Sequence, residues 1–143
     1  MNMSRIAVVY WSATGNTEAM AKAVLEGVID SGAEGVLFSC GEFDASMLDN
    51  YDAVAFGCPA MGAEQLEDFE FEPLFNSCKA GLKGKKIGLF GSYGWGDGEW
   101  MRSWEESSRQ ADAVLTGNGI IAMGHPNAES IESCKALGRV LAA

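Results

Sequence analysis

Short apolar runs alternate along the chain with longer stretches in which apolar residues recur every three or four positions. Ile6-Ala7-Val8-Val9-Tyr10 has no in-out alternation, the pattern of a strand buried on both faces. From about Asn16 to Ser31, Met20, Ala21, Val24, Leu25 and Val28 fall on one helical face, and Gly32 supplies a stop. Val36 to Cys40 gives a second strand, followed by a short helical turn near Asp44 to Asp49, and Ala53-Val54-Ala55-Phe56-Gly57 gives a third. Pro73 suits the first turn of a helix in which Leu74, Phe75 and Cys78 face inward before Gly81. Ile87-Gly88-Leu89-Phe90 forms the fourth strand, and Asp97 is positioned to cap a helix whose Trp100, Met101 and Trp104 share a face.

The fifth strand is divided. Ala113-Val114-Leu115 and Ile120 to Met123 flank Thr116-Gly117-Asn118-Gly119, a spacing that fits either a kinked strand or a small hairpin. Ala128 to Leu141 closes the chain as a helix with Ile131, Cys134, Leu137 and Leu141 facing in. Five strands alternating with helices imply an α/β fold: a parallel sheet covered on both sides and wound with right-handed crossovers. Ligands in such sheets lie beyond the carboxyl ends of the strands.

Length and composition narrow this picture. The chain's 143 residues fit one domain, 1–143, of a size that buries about 70% of its unfolded surface. No apolar run approaches the roughly 20 residues that span a bilayer, and Met1 to Arg5 leads into the first strand without a cleavable signal pattern, so a cytoplasmic location is expected. The net charge of −10 excludes nucleic acid and anionic membranes as partners and favours proteins with basic faces. Cys40, Cys58, Cys78 and Cys134 are too scattered for a zinc site or a disulfide framework and read as buried thiols. His125, beside Pro126 and without a second histidine, offers no metal site.

Three loops carry the chemistry, after the first, third and fourth strands and therefore on one edge of the sheet. Ser12-Ala13-Thr14-Gly15-Asn16-Thr17 places hydroxyls, an amide and backbone N–H groups at a helix N-terminus, whose partial positive charge favours an anion. It contains no Lys or Arg and matches neither a P-loop nor a dinucleotide fingerprint. It is thus a cradle of neutral donors suited to one terminal phosphate, or simply a capped helix start. In Gly91-Ser92-Tyr93-Gly94-Trp95-Gly96-Asp97-Gly98 two aromatics among four glycines offer faces for a flat ring. Trp11, Trp100 and Trp104 read as core. Gly57-Cys58-Pro59-Ala60-Met61-Gly62-Ala63-Glu64 adds a soft apolar Met, a turn-forming Gly and a carboxylate. A phosphate site with two walls for a flat ring describes a nucleotide-like cofactor.

Taken together, the three loops resemble the FMN site of flavodoxins, especially the short-chain type of anaerobic bacteria, and the likeness covers the whole chain. The resemblance implies a flavodoxin-like three-layer sandwich with five parallel strands in the order 2-1-3-4-5. It implies that Ser12, Ala13, Thr14, Gly15, Asn16 and Thr17 bind the FMN phosphate. Met61 and Gly62 would flank one side of the isoalloxazine and Trp95 would cover the other, with Pro59, Ala60 and Ala63 also in the cofactor-binding loop. Glu64 would accept from the ring's N3–H, and backbone groups around Tyr93 to Gly96, including Gly94, would meet the pyrimidine edge, with Ser92 and Asp97 also in the cofactor-binding loop. Pro59 stands where some relatives have a Ser that reaches the phosphate, and Ala63 where some have an acidic residue.

The implied function is a low-potential, one-electron carrier that shuttles non-covalent FMN between semiquinone and hydroquinone, with the Gly62 carbonyl accepting from flavin N5–H. Its partners would be redox proteins with basic docking faces meeting Glu64, Glu67, Asp68, Glu70 and Glu72, and the carrier would be a monomer without an enzymatic activity or metal of its own. The alternative is a small FMN-dependent NAD(P)H or quinone reductase of the same fold, which would need added segments for its nicotinamide pocket. A signalling receiver of the same topology would need acidic residues where Ser12-Ala13 and Cys58-Pro59 stand.

Overall fold

The computed structural model describes residues 4–143. The part of the Met1 to Arg5 reading that falls on residues 1–3 lies outside the described residues. The strands are β1 (Arg5–Tyr10), β2 (Glu34–Ser39), β3 (Ala53–Gly57), β4 (Lys86–Tyr93), β5 (Val114–Leu115) and β6 (Ile120–Met123). The helices are α1 (Asn16–Asp30), α2 (Phe71–Cys78), α3 (Glu99–Gln110) and α4 (Ala128–Ala142). The sheet order is β2-β1-β3-β4-β5, and every pairing between strands is parallel.

The divided fifth strand is a kinked strand and not a hairpin. β5 runs beside Lys86 and Ile87, while β6 runs in the same direction beside Phe90 to Tyr93. Between them the chain bulges, with the Thr116 N–H and hydroxyl both donating to Ile87 O and the Gly119 N–H donating to Glu105. The four-residue interruption thus leaves the register along β4 continuous in direction.

Burial explains why the central strands show no alternation in sequence. In β1, Ile6 and Val8 join the core under α1 and α4, whereas Ala7 and Val9 join the core under α2 and α3. β3 divides the same way, Ala53 and Ala55 to one side and Val54 and Phe56 to the other. With helices over both faces, both parities of side chain must be apolar.

The two layers are packed by different means. α1 and α4 meet at glycine: a methyl group built on Gly27 would lie 2.0 Å from Lys135 O, and one on Gly138 would lie 2.1 Å from Val24 O. The opposite layer is aromatic. Phe56 and Phe75 meet edge-to-face at 5.2 Å and 87°, and Phe71 meets Trp104 at 5.4 Å and 85°.

The first helix stops where Gly32 predicts, and one expectation shifts at this level. α1 ends at Asp30, with Ser31 as its C-cap and the Gly32 N–H donating to Ile29 O. Trp100 and Trp104 are core, but Trp11 is only half-buried, and its indole N–H donates to Glu70 at 3.3 Å. Asp44 caps the short 3-10 turn Ala45–Asn50 expected near that position.

Candidate functional site

The loops after β1, β3 and β4 come together at the carboxyl edge of the sheet, joined by residues 124–127 after β6. In the first loop Gly15 is the N-cap of α1 at φ +93°, a left-handed conformation that glycine adopts without a Cβ penalty. Ser12 Oγ accepts from the N–H groups of Gly15 (3.1 Å) and Glu18 (3.3 Å), so both acceptor positions of the hydroxyl are used and its proton remains to donate. Ala13 and Thr14 are exposed. The N–H groups of Asn16 and Thr17, in the first turn of α1, have no intrahelical acceptor and lie at the positive end of the helix dipole.

Thr17 is placed differently from its neighbours. It is buried, and its hydroxyl lies 3.0 Å from Ser92 Oγ, with the Ser92 N–H 3.4 Å away. These two residues fasten the first loop to the end of β4. Asn16 contributes a contact that the sequence did not announce: its Oδ1 is 3.3 Å from His125 Nδ1.

The second loop extends the pairing of β3 with β4. Cys58 N–H donates to Phe90 O and Ala60 N–H to Ser92 O, after which Met61 and Gln65 close a tight turn through reciprocal backbone bonds of 2.8 and 3.0 Å. Within it Gly62 has φ +45° and Glu64 has φ +53°. For Glu64 the left-handed conformation costs about 1 kcal/mol. Its carboxylate offsets this by accepting the Glu99 N–H at 3.0 Å, one of the unpartnered donors at the start of α3.

That contact corrects the reading of Asp97. The N-cap of α3 is Gly98, which has no side chain to offer, and the capping carboxylate comes from Glu64. Asp97 instead pairs with Arg102 at 3.0 Å, while Arg102 also donates to the Asp97 carbonyl. Gly96 lies close against the Glu64 carboxyl, where a methyl group would be 2.6 Å from Cδ. The second and third loops therefore touch. Trp95 stands out from this contact, 64% exposed, whereas Tyr93 is half-buried against Trp100 with ring centroids 5.4 Å apart.

The acidic rim also changes. Glu67 is only 5% exposed and accepts from the N–H groups of Phe71 (2.8 Å), Glu70 (2.8 Å) and Phe69 (2.9 Å). Burial alone would raise its pKa, but these three donors outweigh it and hold the carboxyl below its ordinary value. Glu67 is therefore a structural anchor for the start of α2 and not a docking charge. Asp68 and Glu70 remain exposed, Glu72 is half-buried, and Phe69 between them is 88% exposed.

All four cysteines are buried and free. Burial pushes the thiols of Cys40 and Cys78 up to about 11 and that of Cys134 up to about 12, and it raises Cys58 as well, so none is a ready thiolate. Among the described residues no group of three or more His, Cys, Asp or Glu is placed to hold a metal ion, and no helix is long and apolar enough to cross a membrane.

Fold and site together define an α/β protein whose sheet edge joins a loop of hydroxyls and free N–H groups at a helix N-terminus to an exposed aromatic and a tight turn through Met61 and Gln65. The family model described as flavodoxin matches residues 8–136. The chain is 42% identical to the flavodoxin of Megasphaera elsdenii over 137 residues, covering 96% of this chain and 98% of that one. It is 41% identical to the flavodoxin of Clostridium beijerinckii, with coverage of 94% and 97%. Among solved structures, the two-electron reduced Megasphaera elsdenii flavodoxin superposes with a TM-score of 0.86 at 41% identity, covering 96% of this chain and 98% of that one.

The chain belongs to the flavodoxin family. FMN is accordingly its cofactor, and its class of activity is electron transfer to and from redox partners, not turnover of a substrate.

Proposed function

We propose that residues 1–143 form one FMN-binding domain that works as a low-potential, one-electron carrier, cycling its cofactor between the one-electron and two-electron reduced forms. The observation that carries this reading is the convergence of three loops on one sheet edge: a neutral phosphate cradle at the N-terminus of α1, the Met61–Gln65 turn, and the exposed Trp95. When bound, FMN supplies a centre that accepts electrons singly, and the protein sets the free energy of each state.

The residues divide the work by their chemistry. The Ser12 hydroxyl proton and the first N–H groups of α1 would hold the phosphate dianion with neutral donors. Met61 and Gly62 would flank one side of the ring and Trp95 the other. One Glu64 oxygen caps α3, and the second remains to accept from the pyrimidine edge. The positive φ of Gly62 suits a turn whose carbonyl can rotate toward a ring proton. The surrounding carboxylates, including an ionised Glu67, oppose added negative charge and so lower the potential of the second electron.

Asp68, Glu70 and Glu72 around the protruding Phe69 would meet a partner's basic face. The acidic charge and the buried, unpaired thiols suit a monomeric carrier in the reducing cytoplasm. The test is anaerobic, stepwise reduction of the FMN-loaded protein with spectra at each step. Two resolved one-electron transitions, with no steady-state NAD(P)H oxidation, are expected. A single two-electron transition, or turnover of NAD(P)H, would overturn the carrier reading. With a basic protein as electron acceptor, the bimolecular rate should fall as ionic strength rises, and a flat salt profile would remove the docking role of the acidic face.

A further inference from the structure

The chain has a single histidine, and it stands at the phosphate cradle without being part of the motif that defines it. His125 Nδ1 is 3.3 Å from Asn16 Oδ1, and Asn16 is the first residue of α1. The segment carrying the ring is held at both ends. Gly124 N–H donates to Tyr93 O at 2.8 Å, Pro126 is buried, and Asn127 caps α4 by accepting the Ser130 N–H at 2.9 Å. His125 is therefore presented to Asn16 by backbone already fixed on β4 and α4.

The direction of the contact has a consequence. An amide oxygen can only accept, so the imidazole Nδ1 donates, and the Asn16 oxygen is occupied. The opposite end of the amide, with its two N–H donors, is then the end available to an anion at the start of α1. Without the imidazole the amide could turn over and offer its oxygen, which repels a phosphate oxygen instead of binding it. In a cradle whose residues Ser12 to Thr17 include no Lys or Arg, a correctly turned neutral amide matters more than it would beside a fixed cation.

We propose that His125 is a positioning residue for phosphate recognition: by holding Asn16 Oδ1 it aims the Asn16 amide N–H groups at the terminal phosphate monoester of the cofactor. The inference rests on the reading of the cradle as the FMN phosphate site, and the experiment separates the two. FMN and riboflavin, which shares the ring system but lacks the phosphate, are titrated into flavin-free wild type, His125→Ala and His125→Asn by flavin fluorescence. His125→Asn keeps an N–H donor near the Nδ1 position.

The expected result is that His125→Ala weakens FMN about five- to tenfold, the scale of one hydrogen bond, with riboflavin unchanged and His125→Asn near wild type. In parallel, the Asn16 side-chain amide resonances of flavin-free protein should move on adding inorganic phosphate in wild type and His125→Asn, but not in His125→Ala. Equal weakening of FMN and riboflavin in His125→Ala, or no weakening of FMN, would overturn the positioning role. Failure of the wild type to bind FMN more tightly than riboflavin would overturn the reading of the cradle itself.

Discussion

Replacing Glu67 tests the anchoring of the loop that leads into α2 most directly, because the residue is buried and its carboxylate accepts three backbone N–H groups at 2.8 to 2.9 Å. In Glu67→Ala those donors lose a charged acceptor. Hydrogen bonds to charged groups contribute about 1.5–3 kcal/mol each, and a donor left unsatisfied costs about 1–3 kcal/mol, but water can reach the exposed Phe69 and Glu70 backbone. Only the Phe71 N–H, in a buried residue, bears the full penalty. A net loss of about 3 kcal/mol at pH 7 is therefore expected, and about 1–2 kcal/mol for Glu67→Gln, whose amide oxygen still accepts but carries no charge.

The pH dependence gives the sharper check. The folded-state pKa of Glu67 is depressed, so its ionised form is favoured by folding. That contribution is complete above the ordinary carboxylate value and is lost as pH falls through the depressed folded value. Urea unfolding followed by circular dichroism should show the gap between wild type and Glu67→Gln at pH 7 shrinking steadily below about pH 4.3, the ordinary glutamate value. A gap that stays constant to pH 3, or a loss under about 0.5 kcal/mol in Glu67→Ala at pH 7, would refute the anchoring role.

Three further outcomes are expected. Gly62→Ala forces a side chain into a turn at φ +45° and should shift the one-electron potentials by the equivalent of about 1 kcal/mol, read by potentiometry; unchanged potentials would remove the turn from redox control. Trp95→Ala should weaken FMN by about 1 kcal/mol or more, measured by fluorescence titration, because an exposed aromatic that stacks on a ring loses that contact on truncation. Gly138→Ala places a methyl group 2.1 Å from Val24 O and should destabilise the fold by about 1–3 kcal/mol in urea, with FMN affinity at native conditions little changed, since the α1–α4 contact lies away from the three loops.

The chain's local pattern was enough to locate the strands, the loops after β1, β3 and β4, and the start of α1 behind the hydroxyl residues. Each of these follows from neighbours in sequence: uninterrupted apolar runs mark strands covered on both faces, and Gly15 among hydroxyl residues marks a helix start with free donors. What local pattern could not decide was where polar side chains would spend their hydrogen bonds. Asp97 is in the right place to cap α3, but Glu64, distant in sequence, does so, while Asp97 turns to Arg102. Glu67 looks like one more surface acid, yet its carboxylate is spent on the N–H groups of Phe69, Glu70 and Phe71 just ahead of it, and the division of the fifth strand becomes a kink only beside β4. His125 meets Asn16 across 109 residues. Helices and strands arise from repeating backbone bonds and local apolar period, so sequence alone determines them. The cap that Glu64 gives α3 and the meeting of His125 with Asn16 depend on which loops the parallel crossovers bring to the same edge, and only the tertiary structure decides that.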